Sequence, residues 1–179
     1  AIEHLGKTEL AISNITRSVS AIFFVIANSF AVTTGSLVSN AIGARARNEL
    51  FPICHKVLKL GYAVGIPFVV VALLCNRWIV SFYTDNELLI ELAFAPFVVM
   101  LLNYTFALPG YVYLNAVGGT GKTKITFLFQ VTTTCVYLVY LYWLSFCIKA
   151  SLSLYLTAEY LFVILLALQS IIHLKSKHY

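Results

Sequence analysis

Five long runs of mainly apolar residues, separated by short polar segments, constrain this chain more than any other feature. About 20 apolar residues in a helix cross the ~30 Å hydrocarbon core of a bilayer, and each run is far longer than a typical strand. The pattern therefore predicts an all-α, polytopic membrane protein with five transmembrane helices. The predicted spans are residues 18–44, 60–84, 92–121, 125–148 and 150–174.

The composition argues against a soluble domain. Of the 179 residues, 60% are hydrophobic and 11% are charged, whereas a soluble domain carries about 25% charged residues. A chain of this length would be unable to bury so much apolar surface in one core and would leave large exposed patches. We therefore expect the lipid bilayer to be the main partner of the chain.

The basic residues predict an orientation, because loops on the cytoplasmic side are enriched in Lys and Arg. Eight of the twelve basic residues fall on one side of the five predicted spans. The prediction is a multi-pass protein of the cell (inner) membrane with Ala1 outside and Tyr179 in the cytoplasm. The net charge of +5 then requires no nucleic acid as a partner. The eight residues are Arg45, Arg47, Lys56, Lys59, Lys122, Lys124, Lys175 and Lys177.

One short motif is typical of nucleotide-binding proteins. The stretch "AVGGTGKT", residues 116–123, fits the relaxed pattern of a phosphate-binding loop. Such a loop needs a buried strand before it and a helix after it, so that backbone N–H groups converge on an anion. Pro96 and Pro109 in the preceding run argue against a central strand. We interpret the motif as a turn between two helices and predict no enzyme activity.

No cofactor or metal site is predicted. The four cysteines show no C-x-x-C spacing, and only Cys54 adjoins a histidine. They form no recognisable zinc motif. The cysteines are Cys54, Cys75, Cys135 and Cys147.

Three stretches resemble one transporter family in the right order. "NAVGGTGKTK", residues 115–124, resembles the hairpin before the eleventh helix of multidrug and toxic compound extrusion (MATE) transporters. "GSLVSNAIGARARNE", residues 35–49, is similar to the end of the eighth helix of that family and its basic loop. "FYTDNELLIELAFAPFVVM", residues 82–100, is similar to the turn that enters the tenth helix.

The resemblance implies that residues 1–179 are part of the carboxy-terminal lobe of a two-lobe, twelve-helix transporter. It implies an antiporter that exports drugs or organic cations in exchange for Na⁺ or H⁺, with an amino-terminal lobe as the missing partner. A lipid-linked sugar flippase of related architecture and a non-transporting membrane scaffold subunit remain open as alternatives.

Polar and aromatic residues recur at helical spacing on three of the predicted spans. They are candidates for the wall of a substrate cavity, and close packing between helices is the alternative for each. The candidates are Ser29, Thr33, Ser36 and Asn40 in the first span, Tyr104, Tyr111 and Asn115 in the third, and Gln130 and Tyr137 in the fourth.

Glu159 is the acidic residue that lies well inside a predicted span. An intramembrane carboxylate is a candidate for ion coupling. The alternative is a paired or snorkelling acid, since Lys149 can approach the same end of the span. The resemblance favours pairing, because the usual coupling acids of the family lie in helices other than the last.

Overall fold

The computed structural model describes residues 7–148 and 152–176, and within these ranges the regular structure is helical. The all-α prediction is therefore confirmed. A 3₁₀ turn at Arg47–Glu49 and a π-helical turn at Leu144–Ile148 supplement the α-helices. The α-helices are α1 (Lys7–Gly43), α2 (Leu50–Leu74), α3 (Asn76–Ser81), α4 (Glu87–Gly119), α5 (Thr123–Trp143), α6 (Leu152–Leu156) and α7 (Ala158–Lys175).

Five helical segments of the described chain are long and apolar enough to cross a membrane. They match the number of predicted spans, but several boundaries differ. The segments are Leu10–Gly43, Arg47–Leu74, Glu87–Gly119, Thr123–Phe146 and Leu152–Lys175.

The second span differs most from its prediction. Helix α2 begins at Leu50 and ends at Leu74 instead of running from 60 to 84. Lys56 and Lys59 are exposed on its first turns, and long basic side chains extend toward headgroups without ending a helix. The helix ends at Cys75, and the separate helix α3 covers residues 76–81.

Helix α4 is the centre of the structure. It packs against α1, α2, α5 and α7, and large side chains such as Phe97, Leu101 and Leu108 are fully buried along it. Helix α5 lies at the edge of the structure. Only 6% of an apolar 18-residue stretch of its segment is buried inside the protein. Its outward face is apolar and suited to lipid, with Phe127, Leu138 and Val139 exposed.

Two glycines allow α1 and α4 to cross closely. A Cβ atom added at Gly119 of α4 would lie 2.5 Å from the carbonyl oxygen of Gly35 in α1 and 3.1 Å from Val38. A Cβ atom at Gly35 would lie 3.3 Å from the carbonyl oxygen of Asn115. Close approach at small residues is typical of helix pairs in membranes, where van der Waals packing drives association.

Two tyrosines connect α2 and α4 in a reciprocal arrangement. The Tyr62 hydroxyl of α2 donates to the carbonyl oxygen of Thr105 in α4 at 2.7 Å. The Tyr104 hydroxyl of α4 donates to the carbonyl oxygen of Gly61 in α2 at 2.8 Å. The two bonded residues of α2 are neighbours in the chain, and so are the two of α4. The two hydrogen bonds together therefore fix the register between α2 and α4.

Candidate substrate-facing surface and intramembrane cavity

The polar stripe predicted on the first span lies on the unpacked face of α1. Ser29, Thr33, Ser36 and Asn40 are all exposed, opposite a buried face that includes Ala27, Ala31 and Val38. The hydroxyls of Ser29, Thr33 and Ser36 donate to carbonyls one turn earlier in their own helix, at 2.8, 2.9 and 3.4 Å. These hydroxyls are therefore satisfied without a partner helix.

Two amides on the exposed side of α1 lack such partners. The side chains of Asn28 and Asn40 are exposed and make no hydrogen bond with the described residues. Asn28 lies near the middle of the segment Leu10–Gly43. An unpaired amide at that depth is costly in hydrocarbon. This side of α1 also exposes Val25 and Val32, so the face is mixed, and its two amides favour contact with water, a ligand or another polypeptide segment.

The three candidates on α4 do not share one environment. Tyr104 is buried, donates to α2 and packs edge-on against Phe23 of α1 with ring centroids 6.3 Å apart. Tyr111 is half-buried, and its ring meets Phe24 of α1 edge-on at 5.4 Å. Asn115 donates its amide to the carbonyl oxygen of Tyr111 at 2.9 Å. All three therefore contribute to packing or to local hydrogen bonding.

The two candidates on α5 are separated from those on α1. Gln130 is exposed, whereas the ring of Tyr137 packs edge-on against Phe162 of α7 at 5.9 Å. Thr133, on the same stripe, is fully buried. The stripe on α5 thus follows the interface with neighbouring helices for most of its length.

A small cavity of about 60 Å³ lies between α1, α4 and α7. It brings together Tyr104 and Tyr111, which the sequence singled out, and Glu159. It also includes Ser20 and Asn103, which sequence reasoning missed. The available signal was their polarity inside long apolar runs, since periodicity alone does not show which faces of different helices meet.

Glu159 lies in the first turn of α7, and its carboxylate pairs with Arg17 of α1. The distance from Glu159 Oε1 to Arg17 Nη2 is 3.4 Å, and the side chains are 34% and 53% exposed. The partial positive charge at a helix N-terminus also favours a carboxylate at this position. The alternative partner named from the sequence, Lys149, lies outside the described residues.

The phosphate-loop pattern has the wrong structural setting for nucleotide binding. Helix α4 precedes the motif where a strand is required, and α5 begins at Thr123. Gly121 has a φ of 86° and forms the turn between the helices. The exposed Lys122 side chain lies at this end of both helices, which agrees with a helical hairpin.

The described cysteines are dispersed. Cys54 is buried, whereas Cys75 and Cys135 are exposed. Within residues 7–148 and 152–176, no three histidine, cysteine or acidic side chains gather in a way that suits a metal ion.

The fold defines a multi-pass α-helical membrane protein, and helix α1 exposes on one side two amides without partners among the described residues. The model of the MatE family matches residues 1–143, and the chain belongs to this family of membrane transporters. The match covers α1 to α5 and ends before α6 and α7, so Glu159 lies beyond it. Among curated proteins, none matches the chain.

Proposed function

We propose that the chain is part of the carboxy-terminal lobe of an ion-coupled antiporter that exports drugs or organic cations across the cell membrane. The amino-terminal lobe, supplied by the rest of the transporter, faces α1 across a central cavity. Na⁺ or H⁺ is the coupling ion. Membership of the MatE family supports the transporter class, and the residues that face the cavity support the cationic substrate.

The observation that carries the proposal is the polar face of α1. Asn28 and Asn40 expose amides without partners among the described residues, within a segment long enough to span the membrane. A water-filled cavity satisfies such groups, whereas lipid leaves them unpaired. The neighbouring hydroxyls add oxygen acceptors that interact favourably with a cation.

The pairing of Glu159 bears on the coupling ion. Because Arg17 already neutralises this carboxylate at 3.4 Å, we assign coupling to a group elsewhere in the complete transporter. Glu159→Gln should therefore leave ion-driven export of ethidium, an organic cation without a primary ammonium group, largely intact. Loss of export by this variant at unchanged membrane abundance would make Glu159 a coupling residue.

Efflux from cells that produce the complete protein tests the proposed function. Cells are loaded with ethidium, a fluorescent organic cation, and efflux is followed after an inward Na⁺ or H⁺ gradient is imposed. We expect efflux that depends on one of these gradients and that slows in Asn40→Leu. The matched control is Val139→Leu, on the exposed apolar face of α5, which should export normally.

Two outcomes contradict the proposal. Normal membrane abundance without efflux under either gradient would favour a scaffold subunit. Movement of a lipid-linked sugar between leaflets, in the absence of cation efflux, would favour a flippase.

A further inference from the structure

The cavity between α1, α4 and α7 contains an unsatisfied polar group. Asn103 lies at the centre of α4 and lines the cavity, and its side chain is only 9% exposed. Its Oδ1 atom is buried and has no hydrogen-bond partner among residues 7–148 and 152–176. A buried acceptor without a donor destabilises the folded protein. The site is therefore incomplete without an additional hydrogen-bond donor.

Glu159 supplies a second hydrogen-bond acceptor in the cavity that Asn103 lines. Glu159 lines the same cavity and directs only Oε1 toward Arg17. Its other carboxylate oxygen has no hydrogen-bond partner among the described residues. An amide oxygen and a carboxylate oxygen both accept hydrogen bonds and do not donate them. The missing ligand should therefore be a donor that carries positive charge.

Aromatic rings complete this environment. Phe24 and Tyr111 meet edge-on at 5.4 Å, and both border the cavity together with Phe23 and Tyr104. Aromatic faces attract cations, with ammonium groups among their usual ligands. An ammonium group offers up to three donors and a charge for the carboxylate. It therefore suits both the polar and the aromatic residues that line the cavity.

The volume of the cavity limits the size of the ligand that it can bind. A cavity of about 60 Å³ holds only a few waters, since one water needs about 10–15 Å³. Sites for drug-sized ligands occupy about 300–1,000 Å³. The cavity is therefore suited to a charged head group and not to an entire drug.

We propose that this cavity is a binding site for a primary ammonium group. Glu159 is the counterion, Asn103 accepts a hydrogen bond from the ammonium, and Arg17 competes with the ligand for Glu159. The proposal rests on the proposed function only in taking the amine from a transported substrate. Binding itself is independent of export.

The Arg17 contact has the properties of a displaceable competitor. Its 3.4 Å separation is long for a charge-assisted hydrogen bond. Both side chains are about one-third or more exposed, and ion pairs of this kind contribute little to stability. An ammonium group in the cavity can therefore replace the guanidinium without loss of a strong interaction.

Binding of methylammonium to the purified complete protein tests the proposal. The midpoint of thermal unfolding is measured against methylammonium chloride, with KCl and NaCl at the same ionic strength for comparison. A ligand of the folded state raises this midpoint as its concentration increases. We expect a rise with methylammonium that exceeds the rise with either salt.

Substitutions of the two members of the ion pair should change the affinity for methylammonium in opposite directions. Glu159→Gln should weaken methylammonium binding about tenfold or more, because a charged hydrogen bond is lost. Arg17→Gln should tighten it about two- to fivefold, because the competitor is removed. A purely structural ion pair would give the same sign for both variants. Val139→Leu, on the exposed apolar face of α5, is the control and should bind like the wild type.

Asn103→Asp gives a further test if Glu159→Gln yields little folded protein. The added carboxylate keeps the shape of the side chain and should tighten methylammonium binding. Equal midpoints in methylammonium, KCl and NaCl for both the wild type and Arg17→Gln would overturn the proposal, because the cavity would then hold only water. Weaker binding by Arg17→Gln would also overturn it.

The binding experiment and the export experiment test different proposals. Methylammonium binding without ethidium efflux would contradict only the proposed function. Gradient-driven efflux without methylammonium binding would contradict only the ammonium site.

Discussion

At the scale of single residues, Pro109 explains the position of a tyrosine on another helix. Proline has no N–H, so the carbonyl of Thr105, four residues earlier in α4, loses its usual helical donor. The Tyr62 hydroxyl of α2 donates to this carbonyl at 2.7 Å. The hydrogen bond therefore satisfies the group that Pro109 leaves unpaired and connects the two helices.

This explanation predicts a specific coupling. Tyr62→Phe should lower the free energy of unfolding by about 1 kcal/mol, because the Thr105 carbonyl loses its donor. In a Pro109→Ala background the cost should be smaller, since the alanine N–H can donate instead. Thermal or denaturant unfolding of the four proteins in detergent gives the coupling energy. Tyr104→Phe, whose hydroxyl donates to α2, should cost the same in both backgrounds, and equal costs for Tyr62→Phe would contradict the explanation.

Single residues also show the limit of sequence reasoning. Helical spacing placed Tyr104 and Tyr111 on one face of a helix, and both line the cavity. Spacing did not show that the Tyr104 hydroxyl reaches Gly61 of α2. It also did not identify Arg17 as the partner of Glu159, because the two residues are 142 positions apart and their contact depends on the packing of α1 and α7.

At the scale of helices, the crossing of α1 and α4 depends on a missing side chain. Gly119 leaves room for the backbone of Gly35, whereas a Cβ atom at Gly118 would meet only Thr126 Oγ1 at 3.6 Å. A side chain at Gly119 would therefore collide with α1, whereas a side chain at Gly118 would not. Both lie at the carboxyl end of α4, so their effects on helix propensity should be similar.

The adjacent glycines provide a matched pair of variants. Gly119→Ala should destabilise the protein by about 1–3 kcal/mol, because the new methyl group forces the two helices apart. Gly118→Ala should leave stability unchanged or raise it by up to about 1 kcal/mol, because alanine is the better helix former. Unfolding midpoints in detergent measure the difference, and equal effects of the two substitutions would rule out the close crossing.

Helix boundaries were harder to predict than helix existence. The length and apolarity of the runs were sufficient to predict five spanning helices. The start of α2 at Leu50 was missed because Lys56 and Lys59 were assigned to a loop. Charge marks where a chain meets the headgroups, but backbone hydrogen bonding can continue beyond that point.

At the scale of the whole molecule, α4 gives a test of orientation. Its 33 residues extend about 50 Å at 1.5 Å per residue, more than the hydrocarbon core. Asn86 precedes one end of α4, and Lys122 follows the other. These two positions should therefore lie on opposite sides of the membrane.

The excess of basic residues predicts which side is which. In a Cys-free version of the complete protein, a cysteine introduced at Asn86 should react with a membrane-impermeant thiol reagent in intact cells. A cysteine introduced at Lys122 should react only after the cells are opened. Labelling in the reverse pattern would overturn the orientation with the carboxyl end in the cytoplasm.

In the proposed transporter, the polar face of α1 lines a water-filled substrate cavity. The most direct measurement is the rate at which cysteines introduced at Thr33 and Ser36 react with a hydrophilic, positively charged thiol reagent in the Cys-free complete protein. A cysteine introduced at Val139, on the apolar face of α5, is the control for a lipid-facing position. We expect fast reaction at Thr33 and Ser36, slowed by ethidium, and slow reaction at Val139. Reaction at Thr33 and Ser36 as slow as at Val139, and unaffected by ethidium, would contradict the proposal.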